Sequence, residues 1–200
     1  MLPWEELKRY DVVLGSASPR RKEILTHLGI QFRIRTSSAP ERSAQTDPAR
    51  LVEDLARQKS DHVLDELRDE GSLTGRTLLV TADTVVVLNG RILGKPSSES
   101  VAREMIEGLQ GHTHTVLTGL CLRLGERIRI GHEATEVEFA PMSDEEIRDY
   151  LASQDYRDKA GAYGIQSKAA PYIRKLYGDY YNVVGFPVRL FYETVREILE

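Results

Sequence analysis

The chain has 200 residues and a mass of 22.6 kDa, enough for one domain or two small lobes and too little for a multidomain array. Its 27 Lys and Arg against 31 Asp and Glu leave a formal charge of −4, which argues against a dedicated nucleic-acid binder but leaves room for a small anionic ligand in a basic pocket. With 40% hydrophobic and 29% charged residues, the composition is that of a globular chain and too apolar for disorder.

In chain order, residues 11–15 (DVVLG) read as a short buried strand. Ser18-Pro19 then gives a helix start, with Ser18 as N-cap and Pro19 at the first helical position. Ile24, Leu25 and Leu28 form its apolar face, and Gly29 suits its C-terminal end. Residues 31–36 alternate like a strand, and residues 37–46 are polar and loop-like. Asp47-Pro48 repeats the cap-then-proline signal and opens a long helix that ends before Gly71.

Residues 78–80 form a buried strand. Residues 85–88 and 91–93 flank Asn89-Gly90, a primed-turn hairpin signal. Residues 98–109 carry a helical apolar face, and two long strands are expected over 113–124 and 128–139. Ser143-Asp144-Glu145-Glu146 is a capping box that opens another helix. Residues 158–166 are a Gly/Tyr-rich loop, a strand pair is expected over 172–176 and 180–184, and Pro187 starts the last helix. The interleaving predicts an α/β fold, a mixed twisted sheet with flanking helices.

The single cysteine, Cys121, lies in an apolar run and is expected to be a buried thiol, so no oxidising compartment is required. The N-terminus lacks a signal-peptide pattern and no window resembles a membrane span, which gives a cytoplasmic expectation without a membrane partner.

Four constellations carry chemistry. In Gly15-Ser16-Ala17-Ser18-Pro19-Arg20-Arg21 a strand runs through a short turn into a helix N-terminus, which suits a phosphate. Cations in a first helical turn oppose the helix dipole by about 0.3–1 kcal/mol each, so two adjacent arginines are easier to explain beside an anion. Ser-Pro alone would read as an ordinary helix cap, and the two arginines shift the balance toward an anion site. Thr81-Ala82-Asp83-Thr84 interrupts two apolar runs, and a carboxylate there needs a partner. Gly94-Lys95-Pro96 follows the hairpin, whose return would carry Lys95 toward Asp83; alone, it would be a solvated loop lysine. Asp158 to Gln166 (DKAGAYGIQ) is a mere loop by composition, but its glycines allow close backbone approach and Gln166 has both a donor and an acceptor for a base edge. His112 and His114 lack further ligands for zinc, and His27, His62 and His132 read as surface or packing residues. GxxxxGK[ST], GxGxxG and GxSxG are absent.

In this order and spacing the stretches LGSASPRRKEIL, ADTVVVLNGRILGKP, DKAGAYGIQ and GDYYNVVGFP resemble the Maf family of nucleoside triphosphate pyrophosphatases, over nearly the whole chain. The resemblance implies a fold related to the inosine triphosphate pyrophosphatase type, a single Maf-like domain over residues 1–200 with two lobes around a cleft. It implies hydrolysis of a nucleoside triphosphate to monophosphate and pyrophosphate, assisted by a divalent cation, Mg²⁺ or Mn²⁺. The family's proton acceptor falls on Asp83, and further activity positions fall on Ser16, Arg20, Glu41, Lys59 and Lys95. Ser18 and Arg21 lie in the same phosphate-binding motif. Asp83 and Glu41 are the implied metal carboxylates, with Asp83 open to acting as base, ligand or both.

Arg20, Thr84 and Gln166 match positions associated with the subgroup that hydrolyses dTTP and UTP. The neighbouring alternative is a pyrophosphatase for 7-methyl-GTP or another non-standard purine nucleotide, and the distant one a non-catalytic nucleotide-binding regulator of cell division. The family also implies a homodimer, to which Tyr177, Tyr180 and Tyr181 are interface candidates. One departure is Ser167-Lys168-Ala169-Ala170-Pro171, where many relatives continue with glycines.

Overall fold

The computed structural model describes residues 3–36 and 42–200. In chain order its elements are α1 (Pro3–Leu7), β1 (Asp11–Leu14), α2 (Pro19–His27), β2 (Arg33–Ile34), α3 (Pro48–Asp69), β3 (Thr77–Leu88), β4 (Arg91–Leu93) and α4 (Glu99–Leu109). Then follow β5 (Thr113–Leu124), β6 (Arg127–Phe139), α5 (Asp144–Ala152), β7 (Ile173–Tyr177), α6 (Tyr180–Val184) and α7 (Val188–Leu199). The hydrogen-bonded strand order is β2-β1-β3-β5-β6-β7, with β4 also on β3. β1 is parallel to β2 and β3, whereas β4 on β3 and β7 on β6 are antiparallel. The expected mixed α/β sheet with flanking helices is therefore the fold.

Two compact units divide the chain. The first holds the described residues up to Asp83 with Thr118–Glu133 and Gly185–Glu200; the second holds Thr84–Leu117 and Ala134–Val184. Three of the boundaries fall inside β3, β5 and β6, and the fourth follows the end of α6.

In the first unit, α3 buries Val52, Ala56, Ser60, Val63 and Leu67, a stripe at three- and four-residue spacing. Val63 and Leu67 pack with Val13 of β1 and Leu79 of β3. Gly119 of β5 comes so close to α3 that a Cβ there would stand 2.2 Å from the Val52 carbonyl oxygen. Cys121 is buried, as its apolar run predicts. The N-terminal α1 was not signalled by periodicity; Trp4 anchors it by stacking on Phe191 of α7 at 5.6 Å.

In the second unit, α4 and α5 set Ala102, Ile106, Leu109, Ile147 and Leu151 into one core with Val86, Val116, Val137, Phe139 and Tyr163. The expected capping box is present, with Ser143 and Glu146 bonding reciprocally to each other's backbone N–H.

The structure corrects several boundaries. Residues 78–80 and 85–88 belong to one continuous twelve-residue strand, β3, so Asp83 sits within a strand and not in a turn. The strand expected over 31–36 shrinks to Arg33–Ile34, with Ile34 exposed. Residues 180–184 are helical: the Asp179 carboxylate accepts the Tyr181 N–H at 2.7 Å, which starts a turn instead of an extended segment. The partner of β7 is accordingly β6, with Val137 opposite Leu176.

Candidate active site

The loop after β1 is pressed onto β3. The Gly15 N–H donates to the Val80 carbonyl at 2.8 Å. A Cβ on Gly15 would stand 2.5 Å from Thr81 Cγ2, so only glycine allows this approach. Ser16 is buried beyond it, and its Oγ accepts the Ser18 N–H at 3.2 Å and Arg21 Nη1–H at 3.0 Å. Arg21, only 8% exposed, also donates from Nε to the Gly185 carbonyl at 2.8 Å.

The two arginines of the motif thus do different things. Arg21 turns inward and ties the loop to the segment before α7. Arg20 is half-buried and has no side-chain partner among the described residues. Ser18 occupies the N-cap position of α2 with Pro19 behind it, but its hydroxyl makes no capping bond, contrary to expectation. The first-turn N–H groups of Arg20 and Arg21 have no intrahelical acceptor, so the α2 terminus keeps its anion-attracting character.

Asp83 is the last residue of the first unit, and Lys59 Nζ donates to its Oδ1 at 2.5 Å. The side chains of Lys59 and Asp83 are 18% and 16% exposed. The local geometry explains the meeting. The Thr81 hydroxyl donates to the Ala56 carbonyl at 2.6 Å, while Leu79 packs with Val63 and Leu67, so α3 runs opposite to β3. Helical side chains lean toward their own N-terminus. The Lys59 stem therefore leans toward the C-terminal half of β3, where Asp83 lies. The carboxylate that the sequence flags as needing a partner has a lysine from 24 positions upstream.

In the second unit the third and fourth constellations meet. The Gly161 N–H donates to the Gly94 carbonyl at 3.0 Å, one residue before Lys95. Gly161 has φ +67°, and a Cβ on it would stand 2.9 Å from Val86 Cγ2. Lys95 and Gln166 are exposed, and Thr84 is half-buried as the first residue of this unit. Beneath the loop, His114 is 3% exposed and its Nε2 lies 2.7 Å from the Tyr163 hydroxyl. Burial lowers the His114 pKa to about 4 and pushes the Tyr163 phenol well above its usual range.

Glu41 lies outside the described residues. Among the described residues no group of three or more His, Cys, Asp and Glu side chains forms a metal cluster. A hard cation such as Mg²⁺ is often held by one or two carboxylates together with substrate phosphates and water, and among the described site residues Asp83 is the carboxylate that would fit such a role.

Sequence reasoning missed Asp155. Its carboxylate accepts from Ser167 Oγ at 2.5 Å, the Lys168 N–H at 3.2 Å and Lys159 Nζ at 3.1 Å. Burial opposes its ionisation, but these bonds and the Lys159 charge outweigh it and hold its pKa below the ordinary value. The four-residue spacing of Asp155 and Lys159 was the available signal. It also missed Asn182, which is buried and donates to the Val116 carbonyl and Thr135 Oγ1, both at 3.0 Å.

A dTTP/UTP pyrophosphatase of Symbiobacterium thermophilum is 43% identical over 178 residues, covering 88% of this chain and 88% of its own. One of Pyrococcus abyssi is 40% identical over 185 residues, covering 92% of this chain and 95% of its own. One of Porphyromonas gingivalis is 41% identical over 199 residues, covering 98% of each. Among solved structures, the Staphylococcus aureus Ham1 protein gives a TM-score of 0.44 at 12% identity, covering 65% of this chain and 72% of its own. That likeness is too slight to carry the fold assignment, which rests on the strand order. Residues 11–198 match the model of the Maf-like protein family, and with relatives above 40% identity along most of its length the chain belongs to that family.

Proposed function

We propose that this protein is a nucleoside triphosphate pyrophosphatase that hydrolyses dTTP and UTP to the monophosphate and pyrophosphate. The observation that carries the chemistry is the Lys59–Asp83 ion pair, in the same unit as a strand-to-helix loop suited to phosphate. The choice of nucleotide follows the names of relatives that align along 88% or more of this chain.

Hydrolysis of a phosphoanhydride needs charge neutralisation, alignment and an activated water. The α2 N-terminus and Arg20 hold phosphate oxygens, and Ser16, fixed by Arg21, shapes the loop beneath them. Ser18, with no capping bond to make, has its hydroxyl available for a phosphate oxygen. Asp83 accepts the proton of the attacking water, and Lys59 fixes its orientation through Oδ1. In the second unit, Lys95 supplies phosphate charge, while Thr84 and Gln166 serve nucleotide selection. A divalent cation, Mg²⁺ or Mn²⁺, would be held by Asp83 and Glu41 and would neutralise charge on the phosphates.

A cytoplasmic setting is part of the proposal, supported by a single buried free cysteine that needs no oxidising compartment. Homodimer assembly is another part, supported by Tyr177, Tyr180 and Tyr181, which stay exposed beside one another in the chain. No helix among the described residues is long and apolar enough to cross a membrane.

The test is a panel of dTTP, UTP, 7-methyl-GTP and ITP with separate pyrophosphate and phosphate readouts, run with Mg²⁺ and with Mn²⁺. Fastest pyrophosphate release from dTTP and UTP is expected. Preference for 7-methyl-GTP or ITP, or release of single phosphates, would overturn the proposal.

A further inference from the structure

Gln166 is exposed at the third position of the turn Gly164-Ile165-Gln166-Ser167, closed by the Ser167 N–H donating to the Gly164 carbonyl at 3.3 Å. A turn this short has little to hold it in water, yet both of its ends bear on one buried-side network. At the far end, Ser167 Oγ stands 2.5 Å from Asp155 Oδ2 and 2.9 Å from the Gly164 carbonyl oxygen. A hydroxyl has one proton to donate, and the charged acceptor at the shorter distance takes it. The next residue, Lys168, gives its N–H to the same carboxylate oxygen at 3.2 Å.

At the near end, the Lys159 stem passes against Gly164, where an added Cβ would stand 2.8 Å from Lys159 Cε and 3.0 Å from Ser167 Oγ. Lys159 Nζ is itself held by Asp155, through Oδ1 at 3.1 Å and the backbone carbonyl. The Lys159 and Asp155 side chains are only 15% and 18% exposed, so this ion pair is far better shielded than a surface pair. The Ser167 hydroxyl is thus the direct link between the turn and the Asp155 carboxylate.

We infer that Asp155 is a positioning residue for nucleotide choice: through Ser167, Lys168 and Lys159 it fixes the turn that presents Gln166 to the base. This rests on the pyrophosphatase reading above, in which Gln166 serves base selection. Uracil and thymine offer N3–H as a donor and O4 as an acceptor, whereas cytosine offers the reverse pair, an acceptor and an amine. A side-chain amide discriminates between them only if it is held in one orientation.

The experiment measures kcat and KM for dTTP and dCTP, with pyrophosphate readout, in the wild type and in Ser167→Ala, Asp155→Ala, Gln166→Ala and Ser167→Ala/Gln166→Ala, with thermal unfolding of each. The expected result is that Ser167→Ala lowers the dTTP:dCTP ratio of kcat/KM several-fold, mainly by raising KM for dTTP. The double variant should show no further fall beyond Gln166→Ala, which a loss of stability alone would not produce. Should Asp155→Ala fail to fold, Ser167→Ala carries the test. A wild-type ratio in Ser167→Ala when Gln166→Ala lowers it overturns the inference and leaves the pyrophosphatase reading standing; so do additive effects in the double variant. An unchanged ratio in Gln166→Ala removes both the base-selecting role of Gln166 and this inference. No pyrophosphate from dTTP in the wild type refutes the pyrophosphatase reading itself.

Discussion

Lys59 reaches Asp83 from the middle of α3, with Nζ 2.5 Å from Oδ1 in a setting where neither side chain is more than 18% exposed. The bond engages one carboxylate oxygen and leaves the group oriented. Asp83→Asn should reduce pyrophosphate release by about 10²–10⁴-fold, the range typical of a lost general base. Lys59→Met should also lower kcat while costing about 1–3 kcal/mol of stability for the partner left behind. Steady-state assays with denaturant unfolding check both. Full activity in Asp83→Asn would remove that residue from the mechanism.

Arg20 and Arg21 are neighbours with opposite expected phenotypes. Arg21 is buried, bonded to Ser16 Oγ and the Gly185 carbonyl. Arg21→Ala should lose about 1–3 kcal/mol, because buried acceptors lose a charged donor. Arg20→Ala should stay within about 0.5 kcal/mol of wild type, as surface changes usually do, and lose kcat/KM. Paired unfolding and kinetic measurements distinguish them; equal destabilisation by the two would contradict the division of labour.

How far the sequence goes is plain from particular residues. Helix caps at Asp47 and Ser143 and the Asn89-Gly90 turn are local chemistry, so they are readable and present. The need of Asp83 for a partner was also readable, because burial of charge is a general penalty. Lys59 entered through family resemblance only as an activity position and was not named as that partner, since which side chain arrives depends on how α3 lies along β3. Residues 180–184 misled for a tertiary reason: β-prone Tyr and Val follow an Asp179 whose N–H and carbonyl are both bonded to Thr135 Oγ1, and this anchors a turn. Asp155 escaped because its partners lie on both sides of a loop whose closure has no periodic signature.

Gly161 joins two conditions that only glycine meets: φ +67° and Val86 Cγ2 within 2.9 Å of any Cβ. Gly161→Ala should destabilise the second unit by about 1–3 kcal/mol through strain and overpacking. Because the Gly161 N–H holds the Gly94 carbonyl, the same change should shift Lys95 and raise KM. Unfolding by denaturant and the KM for dTTP check this; a wild-type value for both would show that the loop has slack.

His114 should make stability depend on pH in one window. Its ring is enclosed by Phe139 and Tyr163, and its Nδ1 has no partner among the described residues. Burial lowers its pKa from 6.5 to about 4. Between these values the unfolded chain takes up a proton that the folded chain refuses, so stability falls as pH drops from about 6.5 to about 4 and levels off below. The full change is about 3 kcal/mol, from the linkage between a pKa shift and free energy. The carboxylates held below their ordinary values, Asp54, Glu146 and Asp155, act lower, losing their contribution as pH falls through their folded-state values. Denaturant unfolding of the wild type and His114→Gln at intervals from pH 7 to pH 4.5 isolates the histidine. The wild type should lose stability relative to the variant across that range, and parallel curves would mean that the ring is hydrated or has found a partner for its proton.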